Sequence, residues 1–131
     1  MKLFTVRKDG GTESTVTGFW LIEAKRLFSA CLLRFDGLSR EAFHTHAFNC
    51  ISWVIRGELV ETFIDGSVAR HPASWRPFIT RRTDFHKVSS ATATSWVLSF
   101  RGPWASQWRE YLPRLGKFVT LASGRRIVAA S

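Results

Sequence analysis

Two histidines one residue apart, His44 and His46, carry the first chemistry visible in this chain. Side chains alternate faces along an extended segment, so both imidazoles point to one side. Two neutral imidazoles on one strand face are half of a transition-metal site. A mononuclear centre needs at least one more donor from another strand. The only other histidines are His71 and His86. His71 precedes Pro72 in what reads as an edge turn, which assigns it to the surface. His86 opens the extended run His86-Lys87-Val88 after the polar turn Arg81-Arg82-Thr83-Asp84. A strand there can be brought opposite the histidine pair. Three imidazoles with open positions suit iron(II), and also zinc, copper, nickel or manganese.

Other side chains could join such a centre. Cys50 is either a soft ligand or oxidisable thiol beside the metal, or a small buried hydrophobe. On a later strand Val97, Ser99 and Arg101 share one face. An inward Arg101 could clamp a carboxylate or phosphate bidentately, and Arg56 could do so from its strand end; the other reading leaves both in water. Asp84 either orients His86 or closes its own turn, the turn being the default. Trp53, Trp96 and Phe100 read as core filling between sheets. Trp75, Trp104 and Trp108 lie near turns and read as a pocket wall or a partner surface.

The elements that must position these groups are strands. The chain has 131 residues, enough for one domain with one core. It carries six Trp and eleven Phe but one Tyr, and is rich in Thr and Val, which favours strands over helices. Alternating or apolar runs are bounded by turn signals at Asp9-Gly10-Gly11, Asp36-Gly37, Arg56-Gly57, Asp65-Gly66 and Gly102-Pro103. Trp104 to Tyr111 fits a strand or one short helix. Roughly ten short strands at this spacing predict an antiparallel sandwich or small barrel. Residues 117–131 are expected to form a peripheral strand and a mobile tail. No apolar run reaches membrane-spanning length and no signal-peptide pattern is visible, so a cytoplasmic protein without membrane contact is expected. Cys31 and Cys50 then read as free thiols. The net charge of +9 favours anionic partners: a small phosphorylated or carboxylated molecule, with nucleic acid a minority reading because no binding-module signature is present.

The run Gly37, His44-Thr45-His46, Cys50, Gly57 resembles the first motif of the cupins, in which a glycine, a His-x-His pair, a glutamate and a second glycine follow in that order. Pro77 to His86 resembles the second cupin motif, without its usual Pro-x-Gly and with Ser90 in place of an asparagine. The resemblance implies a cupin-type jelly-roll, a double-sheet sandwich or barrel, as one domain. Cysteine at position 50, where most cupins have glutamate, is similar to the cysteine dioxygenases. Cys50 through Thr62, with Gly57, Leu59, Glu61 and Thr62, resembles the same family. That likeness implies iron(II) held by His44, His46 and His86, and a thiol substrate oxidised by O₂ to a sulfinate. It also implies that Cys50 is the cysteine which some members cross-link to a tyrosine. Arg101 stands where that tyrosine would be, and the only tyrosine, Tyr111, lies beyond Gly102-Pro103. Arg26 and Arg34 are candidates for the family's carboxylate-binding arginine. A non-catalytic cupin that captures an anion such as a nucleotide is the alternative. The resemblance further implies a homodimer, and small cupins of this look occur among bacteriophage proteins, which would place this one in a host cytoplasm.

Overall fold

A computed structural model describes residues 1–10, 14–37 and 43–131. The turn glycine Gly11 lies outside the described residues. The strands are β1 (Lys2–Lys8), β2 (Val16–Ala24), β3 (Phe28–Asp36), β4 (Phe43–His44), β5 (Cys50–Arg56), β6 (Glu58–Phe63), β7 (Val68–Pro72), β8 (Phe78–Thr80), β9 (His86–Ser90), β10 (Thr94–Arg101), β11 (Gln107–Leu112), β12 (Lys117–Ala122) and β13 (Arg126–Ala130). A single 3₁₀ turn, Ser123–Arg125, is the only helical piece among the described residues. Within Trp104 to Tyr111 the chain is a strand from Gln107 onward and not a helix. The basic tail is hydrogen-bonded into a sheet: β12 pairs with both β11 and β13.

Two antiparallel sheets make the molecule. One runs β1-β2-β3-β10-β5-β8, the other β13-β12-β11-β4-β9-β6-β7. Trp20, Cys31, Leu33, Val54, Leu59 and Val97 form the core between them, with Val16, Phe35, Phe78 and Val88 packed against it. Leu59 and Val88 come from the second sheet and the rest of the cluster mainly from the first, so the core is the seam of a sandwich. Cys31 is fully buried, and burial pushes its thiol up to about 11. Neither cysteine is in a disulfide, as the composition implied.

The expectation for the tryptophans needs correction. Trp20, 2% exposed, is the indole in the core. Trp53 and Trp96 are half-buried and Phe100 is exposed, all on the outer face of the first sheet. Strand parity explains this. On β5 the inward residues are Ser52 and Val54, and on β10 they are Val97, Ser99 and Arg101, so the residues between them must face out. Aromatic bulk suggested burial, but the sequence alone did not say which parity was inward.

Gly57 closes the β5–β6 turn with φ of +84°, and a Cβ there would stand 2.4 Å from Ser95 Oγ. Ser95 Oγ accepts a hydrogen bond from the Glu58 amide at 3.1 Å and bonds Ser90 Oγ at 2.6 Å. Both the backbone conformation and the space therefore demand glycine. The tight turn brings β6 back beside β9, which carries the third histidine.

Candidate metal centre

The strand β4 has two residues and lies between β11 and β9. His44 is the direct cross-strand partner of His86 on one side and of Glu110 on the other. Directly opposed residues share a face at about 5 Å, and the two rings stand 5.2 Å apart between centroids. Beyond β4 the chain is held by the Thr45 amide, which donates to the Arg109 carbonyl at 2.8 Å. The Arg109 amide returns a bond to Thr45 Oγ1 at 2.9 Å. His46 is thereby kept on the same side as His44, and its ring lies 5.0 Å from each of the other two.

The ligand atoms of His44, His46 and His86 all lie within 4.8 Å of one another. Nε2 of His46 and Nε2 of His86 are 2.8 Å apart. Nitrogen ligands about 2 Å from a common metal stand about 3 Å from each other. One pair stands at that spacing and the third imidazole lies within reach, so the three residues could hold a transition ion at the cavity wall. Cys50 is not in this group.

Glu61 sets the orientation of the third imidazole. It lies on the inner face of β6, and His86 and His71 are its diagonal neighbours on β9 and β7. Its Oε2 accepts a hydrogen bond from His86 Nδ1. That bond leaves Nε2 of His86 as the lone-pair nitrogen aimed at the other histidines. Its Oε1 bonds His71 Nε2 at 3.0 Å. Burial opposes the charge on Glu61, but the hydrogen bonds of His86 and His71 outweigh it and hold the carboxyl below its usual range. His71 is thus not a surface residue: it lines the cavity and stacks on Phe78 at 4.0 Å. Pro72 does end an edge strand, but the alternation of β7 turns His71 inward.

Arg101 points inward from the end of β10 and is 3% exposed. Its two terminal nitrogens donate to Asp9 Oδ1 and Oδ2 at 3.2 and 2.6 Å. The bidentate geometry expected of this arginine is present, with a carboxylate of the protein itself as the partner. Burial opposes the Asp9 charge, and the guanidinium overcomes it, holding Asp9 below the usual carboxylate range. Cys50 sits half-buried in the cavity wall, with Ser52 Oγ 3.9 Å from its sulfur. Asp84 closes its turn: its Oδ2 accepts from the Arg81 amide at 2.9 Å. Arg56 and Arg26 are exposed, and Arg34 pairs with Asp36 at 3.0 Å on the surface. None of the three lines the cavity. Tyr111 packs on Phe118 and also lies outside it.

The cavity holds about 290 Å³, room for a small molecule. Its rim carries Arg7, Lys8, Lys25, Arg125, Trp104 and Trp108. Arg7 is paired with Glu23, and Arg125 with Glu110 at 2.6 Å. Trp104 and Trp108 thus belong to the pocket wall, while Trp75 is 95% exposed and stands apart from it. Asp9, Glu61 and the rim cations were not singled out by sequence. Glu61 left a signal, as an acid two residues after Leu59 on the same apolar strand face. Asp9 left none beyond its turn.

No family model matches the chain, and no curated protein does. Solved structures do. A polyketide cyclase from Streptomyces resistomycificus is similar over 83% of this chain and 80% of its own, at 13% identity and a TM-score of 0.69. A sugar phosphate isomerase of the cupin superfamily from Silicibacter pomeroyi is similar over 100% of this chain and 92% of its own, at 14% identity and a TM-score of 0.66. The iron(II) form of HppE is similar at 15% identity and a TM-score of 0.60, over 74% of this chain but 55% of its own. With two antiparallel sheets and these neighbours, the fold is the cupin jelly-roll sandwich. Likeness at such identity speaks for the fold and leaves the reaction to the site.

Proposed function

We propose that this chain is a metal-dependent cupin, an iron(II) oxygenase-like protein acting on a small anionic, thiol-bearing substrate. The observation that carries the reading is the convergence of His44, His46 and His86 on the wall of one cavity, with two Nε2 atoms 2.8 Å apart. Iron(II) held there would supply O₂ activation and a coordination position for the substrate thiol. The chain's own residues do the rest. Glu61 holds the Nδ1 proton of His86 and fixes the ring. Phe48, Leu59 and Val97 wall the cavity with apolar surface that limits water. The positive rim draws in an anion. Arg101 would receive the substrate anion only in exchange for Asp9, and Cys50 presents a thiol in the wall of the same cavity. The cysteine dioxygenase likeness and the HppE neighbour both support iron, with zinc, nickel, manganese or copper as competitors for the same donors.

The test is oxygen uptake by iron-loaded protein against a panel of small thiols. Uptake with sulfinate as product, lost in His86→Ala, is expected. No uptake with any thiol would sink the thiol reaction.

A second reading is a cupin that captures an anion such as a nucleotide without turnover. Tyr111 lies outside the cavity and Arg101 occupies the position of the family's tyrosine, which favours it. Thermal stabilisation of metal-stripped protein by nucleotides, with no oxygen uptake, would select this reading. A cytoplasmic setting, in a host cell if the chain is phage-encoded, belongs to both proposals.

A further inference from the structure

A line of rings leads from the histidines to the rim. His46 stands 5.0 Å from Phe48, Phe48 stands 5.1 Å from Trp104, and Trp104 meets Trp108 edge-on at 6.1 Å. All four line the cavity. Lys25 places its ammonium 4.5 Å over the Trp104 ring. The two residues are fixed to each other, because the Trp104 amide donates to the Lys25 carbonyl at 2.8 Å.

Charge separates Lys25 from the arginines of the cavity. Arg7, Arg101 and Arg125 each have a carboxylate, and Lys8 lies 3.4 Å from Thr17 Oγ1. Among the described residues no carboxylate pairs with Lys25, which holds only the indole face.

We propose that the mouth of the cavity binds a small aromatic acid, its ring on the Trp104 and Trp108 wall and its anionic group on Lys25. The inference rests on the reading of this cavity as a ligand site and names the ligand's class. A flat π-face matches the ring line. An aliphatic acid would satisfy Lys25 and leave the aromatic wall poorly covered. A polyhydroxylated ligand would set its hydroxyls against ring faces that cannot bond them.

The experiment is calorimetric titration of 1-naphthoate, cyclohexanecarboxylate and 1-naphthalenemethanol into metal-stripped protein, followed also by tryptophan fluorescence. Naphthoate should bind at least tenfold more tightly than either comparison compound. Lys25→Ala, an exposed change that leaves the melting temperature in place, should cost naphthoate tenfold and the alcohol nothing. Trp104→Phe should weaken naphthoate several-fold while keeping the preference for a ring. Equal affinity for the saturated acid, no effect of Lys25→Ala, or no naphthoate binding would overturn the inference. A metal titration on the same preparation separates the two readings. Metal uptake without naphthoate binding removes the aromatic-acid site alone, and naphthoate binding without metal uptake removes the metal reading alone.

Discussion

Arg101 and Asp9 form a two-point ion pair, at 3.2 and 2.6 Å, between the end of β10 and the turn that follows β1. The pair fixes that turn against the cavity wall. Burial makes each charge depend on the other: Arg101 remains buried whether or not Asp9 is present. Removing one partner of such a pair typically costs about 3–5 kcal/mol. Asp9→Asn should therefore destabilise the fold by about 3 kcal/mol in denaturant titrations at neutral pH. The pH dependence has a definite sign. The folded carboxyl lies below its ordinary 3.8, so its contribution is present above that value and is lost as pH falls through the lower folded value. The wild-type advantage over Asp9→Asn should shrink only below about pH 4. An advantage that persists unchanged in acid would show that the pair contributes nothing.

Glu61 is predicted to act on metal affinity through His86. Losing a carboxylate that orients a ligating imidazole typically costs about 10–100-fold in affinity. Glu61→Gln should weaken metal binding by this order in chelator competition, and His71→Ala by less, since His71 touches Glu61 rather than a ligand. Equal losses for both would mean that the cluster acts as a packed unit and not through the His86 bond.

Cys50 and Cys31 should differ sharply in reactivity. Cys31 is fully buried with its thiol pushed up to about 11, while Cys50 lies half-buried in the cavity wall. Native protein should therefore titrate one thiol quickly, and Cys50→Ser should abolish that phase. Metal stoichiometry should be unchanged in Cys50→Ser, because the sulfur is outside the three-histidine group. A lost metal would make Cys50 a ligand.

Much of the site was legible in the sequence, for reasons of geometry. His44 and His46 share a face because strand parity is rigid, and His86 follows a turn that Asp84 closes as read. Gly57 was visible as a turn residue, although its contact with Ser95 was not. What escaped depends on pairing between distant strands. His71 looked like an edge residue because Pro72 ends its strand, but only the β6–β7 register reveals that it meets Glu61. For Arg101 both an inward clamp and a strand end in water were open, and its partner lies ninety-two residues away in a turn. Trp53 and Trp96 were misplaced because aromatic size does not reveal which face of a sheet is inward.

The outer face of the first sheet bears on the expected homodimer. Phe19, Leu32, Leu98 and Trp53 are successive register partners across β2, β3, β10 and β5. Ala30, Phe100, Ile51 and Ile79 form a second row beside them, and neither row carries a charge. The next row on this face pairs Trp96 with Arg34 and Arg56, so the two charge-free rows are where a second copy of a chain at +9 can approach. Sedimentation should give a dimer that Phe100→Glu converts to monomer. A monomeric wild type at tens of micromolar would rule this out.

The central claim is a metal centre built from His44, His46 and His86. Its most direct test is elemental analysis of protein purified without an affinity tag or chelator. One transition ion per chain, absent from the His44→Ala/His46→Ala variant at unchanged fold, is the predicted result. A metal-free protein from metal-replete cells that takes up no iron(II), zinc, nickel, manganese or copper on titration would contradict it.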